Sequence, residues 1–370
     1  MAVALVAGGC ALGACAVHEV PAGSRDWAPA VSSGVCDAYI RVPSSSGGVA
    51  WVLVNPIQDV RGVWSAGALQ VACAPAWGRV LWDLEGSDRG ECLGWSVVGV
   101  QDINGDGWGE IAVGSPGAEA SSMYQRGCVR LVSGRTGTVI WRADGRAAFD
   151  QLGACVGRIA DWDGDGAEDV LAFALAAEAS QGTQRSGRVV VLSGRTGKDL
   201  WQAEVEEGRG GPGRSVCASD DCDRDGREDI VVGVSSSHGV GSVQVIGSRT
   251  GASLWHVDGI TEGGNFGDRV ARTRDFDGDG VRDLLVAAPW EGEGGVLHLL
   301  SGRDGSRLRT LRGNVGEYFG HYLLCEIPDC DGDNILEIGV SYDAEKTTRA
   351  RVLSGLSLEA TGEFPRLRLR

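Results

Sequence analysis

Short apolar runs recur along the chain, and each is bounded by acidic residues on one side and by glycine or polar residues on the other. The runs are IAVG, VLAF, IVVG, LLVA and EIGV, which begin at residues 111, 170, 230, 284 and 337. A second apolar run follows each of them and ends in a Ser-Gly or Gly-Ser turn, as in VRLVSGRTGTVIW and VVVLSGRTGKDLW. No helical period accompanies these runs. The pattern therefore predicts many short β-strands that are joined by tight turns.

The acidic segments before these runs repeat in phase. They begin at Asp102, Asp161, Asp221, Asp275 and Asp329, so that successive copies are 54 to 60 residues apart. A glycine precedes each copy by eight or nine residues, namely Gly94, Gly153, Gly213, Gly267 and Gly320. A degenerate sixth copy, VPSSSGGVAWVLVNP, begins at Val42 and follows Gly34. A fixed period of this length indicates a repeat architecture with one supersecondary unit per repeat.

Each unit accommodates about four strands, which is typical of a β-propeller blade. A parallel β-helix is the competing architecture, but its coils are usually shorter. The sequence therefore predicts an all-β propeller of four-stranded blades and favours six blades over seven. We expect one propeller domain over residues 31–370, with units starting near residues 34, 94, 153, 213, 267 and 320.

Composition narrows the class of protein. The chain has 370 residues, 59 of them glycine, and a formal net charge of -16. So acidic a chain is a poor partner for nucleic acid, because phosphate binding needs basic patches. No apolar run reaches the about 18 residues of a transmembrane helix. Residues 1–30 are expected to be a leading segment: residues 3–17 are apolar, and Leu12-Gly13-Ala14-Cys15 resembles a lipobox. However, no Lys or Arg precedes Arg25, so a first buried strand remains the alternative to an export signal.

The acidic segments have the pattern of cation-binding loops. Oxygen-bearing side chains occupy loop positions 1, 3, 5 and 9, and the residue at position 7 can offer its carbonyl oxygen. Position 6 is Gly107, Gly166, Gly226, Gly280 or Asn334, residue types that accept the positive φ of a tight wrap. Oxygen ligands without His or thiolate favour Ca²⁺ over Zn²⁺, and this number of carboxylates disfavours Mg²⁺. The last acid comes too early for an EF-hand, and a strand follows where an EF-hand has a helix.

These units resemble the FG-GAP repeat of integrin α-subunit propellers and related bacterial proteins. Phe266-Gly267, Phe319-Gly320 and Leu93-Gly94 match its FG element, and Val113-Gly114-Ser115-Pro116 and Ala287-Ala288-Pro289 match its GAP element. The resemblance implies about five Ca²⁺ sites. Its implied side-chain ligands are Asp102, Asn104, Asp106, Glu110; Asp161, Asp163, Asp165, Asp169; Asp221, Asp223, Asp225, Asp229; Asp275, Asp277, Asp279, Asp283; and Asp329, Asp331, Asp333, Glu337.

Charge argues for a structural role of these cations, since unbound loops would hold repelling carboxylates beside buried strands. We expect an extracytoplasmic calcium-binding scaffold for adhesion, located outside the cell, in the periplasm or at the cell surface, that binds a protein or glycan on a propeller rim. The irregular segments 118–127, 176–187 and 235–241 are the expected binding loops.

No catalytic motif supports an enzyme. The chain has five histidines, and none lies in a nucleophile–base or zinc-binding pattern. The SGRTGTVIW segments also resemble the blade motif of pyrroloquinoline-quinone dehydrogenases, which keeps a quinoprotein oxidoreductase as the alternative function. The simpler interpretation is that each Thr-Gly turn and Trp pack blade on blade.

Eleven cysteines complete the sequence inventory. Cys217/Cys222 and Cys325/Cys330 have the same spacing and the same phase within their repeats, which predicts two local disulfides and an oxidising compartment. The odd total leaves at least one cysteine unpaired.

Overall fold

The computed structural model describes residues 39–41, 49–55, 58–73, 80–118, 125–175, 186–206, 213–236, 239–321, 324–327, 333, 335–344 and 347–363. Within this part of the chain, the strands form six four-stranded sheets. In every sheet the strands are antiparallel and lie side by side in chain order. No helix in the described ranges has the length and hydropathy to span a membrane.

The strand bounds are as follows. The first sheet comprises β1 (Tyr39–Arg41), β2 (Val49–Asn55), β3 (Ala68–Cys73) and β4 (Val80–Glu85). The second comprises β5 (Ser96–Gly99), β6 (Ile111–Ser115), β7 (Cys128–Val132) and β8 (Val139–Asp144). The third comprises β9 (Cys155–Ile159), β10 (Asp169–Ala174), β11 (Ser186–Leu192) and β12 (Asp199–Glu206). The fourth comprises β13 (Gly213–Ala218), β14 (Ile230–Val234), β15 (Ser242–Ile246) and β16 (Ser253–Asp258). The fifth comprises β17 (Val270–Arg272), β18 (Leu284–Ala288), β19 (Val296–Leu300) and β20 (Arg307–Arg312). The sixth comprises β21 (Leu324–Ile327), β22 (Glu337–Ala344), β23 (Thr347–Leu353) and β24 (Ala360–Glu363).

The predicted all-β propeller of four-stranded blades is confirmed. The five acidic units correspond one for one to the second through sixth sheets, and each predicted apolar run forms the second strand of its blade. The predicted number of blades, six rather than seven, is only approximate. Five blades carry the acidic repeat, and the sheet before them is described only in part, because its loop at residues 42–48 lies outside the described residues, as does the predicted leading segment 1–30.

The hydrophobic core lies between the blades rather than inside one sheet. The first strands of successive sheets pack on one another around the centre. The five large apolar clusters each combine residues of two neighbouring sheets: Val156 and Leu171, for example, lie in separate clusters that face the second and the fourth sheet. The second strands are therefore buried on both faces, which is why their sequences are continuously apolar instead of alternating.

Tryptophan side chains join consecutive blades at their outer strands. Each of three indole N–H groups donates a hydrogen bond to a carbonyl in the Ser-Gly turn of the next blade: Trp82 to Gly134 at 2.8 Å, Trp141 to Gly194 at 2.7 Å and Trp255 to Gly302 at 3.0 Å. The rings cover the Thr-Gly or Asp-Gly glycine of the same turn so closely that a Cβ atom at Gly137, Gly197 or Gly305 would lie 2.6–2.7 Å from indole carbons. The turn-and-tryptophan motif thus packs blade on blade.

Antiparallel pairing divides the loops between two faces. The lower face carries the acidic loops between first and second strands and the turns between third and fourth strands. The upper face carries the loops between second and third strands and the connections from one blade to the next. On this face the apolar residue of the FG element inserts between blades, and Leu93, Leu152 and Phe266 form parallel bridges to Gly67, Gly127 and Gly241.

One cysteine prediction is wrong. The Sγ atom of Cys222 lies 3.3 Å from the Gly302 carbonyl oxygen of the next blade, and burial raises the pKa of this thiol to about 12. Cys217 lies on β13 opposite Val231. Because the Cys222 side chain packs toward the neighbouring blade, it does not form the predicted disulfide with Cys217. Cys330, of the second predicted pair, lies outside the described residues.

Candidate functional site

Four of the five acidic loops bring three carboxylate groups together. In each group, one oxygen from every member lies within 4.8 Å of the others. The groups are Asp102, Asp106 and Glu110; Asp161, Asp163 and Asp169; Asp221, Asp223 and Asp225; and Asp275, Asp277 and Asp279. Three of the four predicted side chains of each of these loops are therefore neighbours in space, whereas the predicted acids Asp165, Asp229 and Asp283 are not part of these groups. Of the fifth loop, Asp329 and Asp331 lie outside the described residues, whereas Asp333 is exposed and Glu337 is buried.

The backbone of each loop folds around the aspartate at position 1. In the second loop, Asp161 Oδ1 accepts hydrogen bonds from the N–H groups of Gly164 and Asp165, and Oδ2 accepts one from Gly166 at 2.8 Å. These N–H donors lower the pKa of Asp161. The glycine at position 6 has φ values of 85–95° in the four described loops, as predicted from sequence. The sequence therefore predicts how the loop backbone folds around the aspartate at position 1.

The acid at position 9 differs from the others because it is fully buried. Glu110, Asp169, Asp229, Asp283 and Glu337 all have 0% exposure. In the first four loops one carboxylate oxygen accepts the N–H of the residue at position 2, as in Glu110 to Ile103 at 2.7 Å. Burial raises the pKa of this acid to about 7 in Glu110 and to about 6 in Asp169 and Asp283. A nearby cation would offset that cost.

The donor chemistry of these groups fits a divalent cation. The side chains gathered in each loop are carboxylates, with no imidazole or thiolate among them. In the first loop Glu110 Oε1 is buried and accepts no hydrogen bond from the described residues, although Oε2 is bonded. A buried carboxylate oxygen without a donor is costly unless a cation neutralises it. The loops are thus suited to hold hard cations through oxygen atoms.

Arginines from the lower turns contact the position 5 aspartates, which the sequence did not predict. Arg303 donates to the Asp279 carbonyl oxygen at 2.6 Å and pairs with its carboxylate at 3.0 Å. Arg195 and Arg249 make the same two contacts with Asp165 and Asp225, at ion-pair distances of 3.4 and 3.5 Å. The sequence signal for these contacts is the arginine that directly follows the Ser-Gly or Gly-Ser pair of these three turns. These arginines tie the third-to-fourth turn to the acidic loop and offset part of its negative charge.

Neighbouring acidic loops are also linked to one another. Glu168 accepts the Gln101 N–H of the preceding blade at 2.8 Å, and Glu228 accepts the Ala160 N–H at 2.8 Å. Between the fourth and fifth blades the link is an ion pair instead, which Arg282 forms with Asp220 at 2.6 Å. The acidic loops of the second through fifth blades therefore form one connected network.

A cavity of about 200 Å³ opens on the upper face between the second and third blades. Trp95, Pro116 and Leu175 supply apolar lining, and Gln125 and Gln151, joined by a 2.9 Å hydrogen bond, supply polar lining. Gln151 has a φ of 46°, and the residues at the same position of other repeats, namely Cys92, Asn265 and Tyr318, also have positive φ values. Gln125 of the predicted binding segment 118–127 lines this cavity, and Leu175 directly precedes the segment 176–187 in the chain. Residues 119–124 and 176–185 lie outside the described residues, as do 237–238 of the third segment.

Comparison with known proteins identifies the repeat. A profile of the FG-GAP repeat matches residues 93–122 and 266–300. Integrin alpha pat-2 of Caenorhabditis elegans is 26% identical over 225 residues, which are 52% of this chain and 18% of that protein. Integrin alpha-V of Gallus gallus is 27% identical over 224 residues, 52% of this chain and 20% of that protein. Protein FAM234B of Gallus gallus is 29% identical over 165 residues, 40% of this chain and 24% of that protein.

The chain matches about a fifth of the length of these curated relatives. The similarity supports an adhesion or binding scaffold, and nothing in it supports the quinoprotein alternative.

Proposed function

Because the chain is an integrin α-like β-propeller built of FG-GAP repeats, we propose that it is a calcium-stabilised scaffold that binds a protein ligand on its upper face. We place it outside the cytoplasm, at a cell surface, in the periplasm or in the extracellular medium, with residues 31–370 as a single propeller domain. The observation that carries the proposal is the recurrence of one oxygen-lined loop geometry in successive blades.

Calcium in this proposal is structural. The side chains at positions 1, 3, 5 and 9 of all five acidic loops are its ligands, and the buried position 9 acid links the ion to the strand behind it. Five divalent cations would offset most of the formal charge of -16. Extracellular modules bind Ca²⁺ with dissociation constants of roughly 10⁻⁴–10⁻³ M, so that a site in 10 mM Ca²⁺ contributes about 1.4–2.7 kcal/mol.

Thermal unfolding tests the calcium role. The unfolding midpoint should be higher by many degrees in 10 mM Ca²⁺ than in chelator, since several sites contribute together. A variant with Asp161→Asn and Asp163→Asn should lose part of that difference, whereas Asp199→Asn, an exposed aspartate on β12 outside the loops, should keep all of it. Superimposable curves with and without Ca²⁺ would contradict the proposal.

The ligand role follows from the upper face. The cavity beside Trp95 lies where connections from several strands converge, and binding sites in propellers are built from such loops. Filling it through Ala154→Trp should abolish calcium-dependent capture of proteins from the fluid that surrounds the source cells, while the unfolding midpoint stays within a few degrees. Capture that is unchanged in this variant would exclude the cavity as the binding site. A glycan is the second candidate ligand, and the same variant on a glycan array tests it.

A further inference from the structure

Three upper-face loops that lie between the fourth and sixth blades form one continuous surface, made of residues 259–265, 289–295 and 313–321. Backbone hydrogen bonds join them: the Trp290 N–H donates to the Gly264 carbonyl at 3.2 Å, and the Gly316 N–H donates to the Glu293 carbonyl at 2.7 Å. We name this the acidic–aromatic surface. It is built from different loops than the cavity beside Trp95.

Large apolar side chains are exposed on all three loops. Ile260 is 67% exposed, Trp290 is 45% exposed and Val315 is 77% exposed. Trp290 is held in place by its neighbours, since its ring centroid lies 4.6 Å from that of Tyr318 and 5.5 Å from that of His321. Grouped, exposed apolar side chains on a soluble domain mark an interaction surface.

The charge of the surface has one sign. The three loops contain four glutamates and no Lys or Arg. Glu317 pairs with Arg351 at 3.2 Å, which offsets its charge, and the buried Glu291 is hydrogen-bonded to the His298 ring at 3.0 Å inside the fold. Glu262, on the first loop, and Glu293, three residues after Trp290 on the second loop, are both exposed.

Nearby cationic side chains do not cancel this excess of negative charge. Arg312, at the end of β20, is the exposed cation that adjoins the third loop. Below the surface, Asp268 is fully buried and lies 3.5 Å from His321 Nδ1. The exposed part of the surface therefore presents an aromatic ring and two carboxylates on neighbouring loops.

We propose that the acidic–aromatic surface binds a basic segment of a partner protein, in which Arg or Lys side chains alternate with apolar ones. A cation is attracted both to the face of an indole ring and to adjacent carboxylates, and apolar neighbours in the segment cover Ile260 and Val315. The proposal rests on the binding role given above but not on the cavity beside Trp95.

A peptide selection tests it with a defined probe. A phage library of random twelve-residue peptides is panned on the immobilised full chain in Ca²⁺, and the enriched peptides are synthesised with a fluorescent label for anisotropy titrations. The variants are Trp290→Ala and the double variant Glu262→Gln, Glu293→Gln. Trp64→Ala is the matched control, because Trp64 is 60% exposed but lies in a different loop, between β2 and β3, under the guanidinium of Arg89.

The expected peptides carry a net positive charge and bind at least tenfold more weakly to Trp290→Ala, as at an interface hot spot, and less than twofold more weakly to Trp64→Ala. The glutamate double variant should weaken binding severalfold at low salt and less at 0.5 M salt. Neutral or acidic consensus peptides, or affinities that Trp290→Ala leaves unchanged, would overturn the proposal.

Two further arms separate this inference from the broader binding role. If the enriched peptides lose affinity for Ala154→Trp but not for Trp290→Ala, the binding role stands and the acidic–aromatic surface is not its site. If glycans on an array bind the chain and are lost in Trp290→Ala, the partner class is wrong. Replacement of Arg366, Arg368 and Arg370 by Gln is the last arm, since tighter peptide binding in that variant would show that the chain's own basic segment takes the place of a partner.

Discussion

Arg309 on β20 donates a hydrogen bond from Nη1 to the Ser357 carbonyl oxygen of the next blade, 2.8 Å away. At this position Trp82, Trp141 and Trp255 of other blades bond the glycine carbonyl of the Ser-Gly pair, two residues earlier in the turn, and cover the glycine at the end of the turn. The residue in the glycine position of the last turn is Leu358, which is 2% exposed and has a φ of 60°. Where the indole is missing, a leucine therefore packs into the blade junction. The replacement of tryptophan by Arg309 is thus matched by the replacement of glycine by Leu358.

A double-mutant cycle measures that match. Arg309→Trp alone should destabilise the fold by about 1–3 kcal/mol, because the indole meets the Leu358 side chain. Leu358→Gly alone should cost about 2–4 kcal/mol through the cavity that it leaves. The double variant rebuilds the junction of the other blades, so that its loss should fall short of the sum by about 1 kcal/mol or more. Additive losses in denaturant unfolding would show that the two positions are independent.

The tryptophan junctions make a separate prediction. Trp141→Phe removes the hydrogen bond to Gly194 and keeps most of the packing, and it should cost about 1 kcal/mol. Trp141→Ala should cost about 3–5 kcal/mol, because the ring is 8% exposed and fills the space over Gly197. Val139→Ala on the same strand is the control, with an expected change below about 0.5 kcal/mol, since Val139 is 46% exposed. Equal losses for Trp141→Phe and Trp141→Ala would assign the junction to the hydrogen bond alone.

His298 predicts an acid-sensitive step. Its ring is 2% exposed, Nε2 lies 3.0 Å from Glu291, and Nδ1 faces Arg307 at 3.2 Å. Burial lowers the pKa of His298 below its usual 6.5. The unfolded chain then takes up this proton at a higher pH than the folded protein does, so that stability is lost as pH falls below about 6.5.

The measurement compares the pH dependence of urea unfolding for the wild type and for His298→Gln in saturating Ca²⁺. The wild-type curve should fall more steeply between pH 6.5 and pH 5, whereas His256→Gln, which replaces an exposed ring on β16, should follow the wild type. Parallel curves for all three proteins would mean that His298 does not govern the acid response.

The sequence predicted features that repeat in phase. The blade strands, the positive φ of Gly107 and its counterparts, and the packing role of the blade tryptophans all follow from local patterns that recur with each unit. Repetition supplies the information here, because one unit alone would not distinguish an acidic turn from a cation-binding loop.

The contacts that the sequence did not predict join segments far apart in the chain. Glu91 lies three residues before the FG glycine and pairs with Arg130 at 2.5 Å, as Glu317 does with Arg351. Each partner is visible in the sequence, but only the antiparallel register brings the two together. The prediction of a Cys217–Cys222 disulfide was wrong for the opposite reason. The two cysteines are close in the chain, but the Cys222 side chain packs against the next blade.

Calorimetric titration of the metal-free chain with Ca²⁺ tests the calcium role, because it counts the sites. We expect five bound cations per chain, and four in the variant that combines Asp161→Asn with Asp163→Asn. Absence of binding heat at millimolar Ca²⁺, or a stoichiometry that this variant leaves unchanged, would contradict the assignment of the acidic loops as calcium sites.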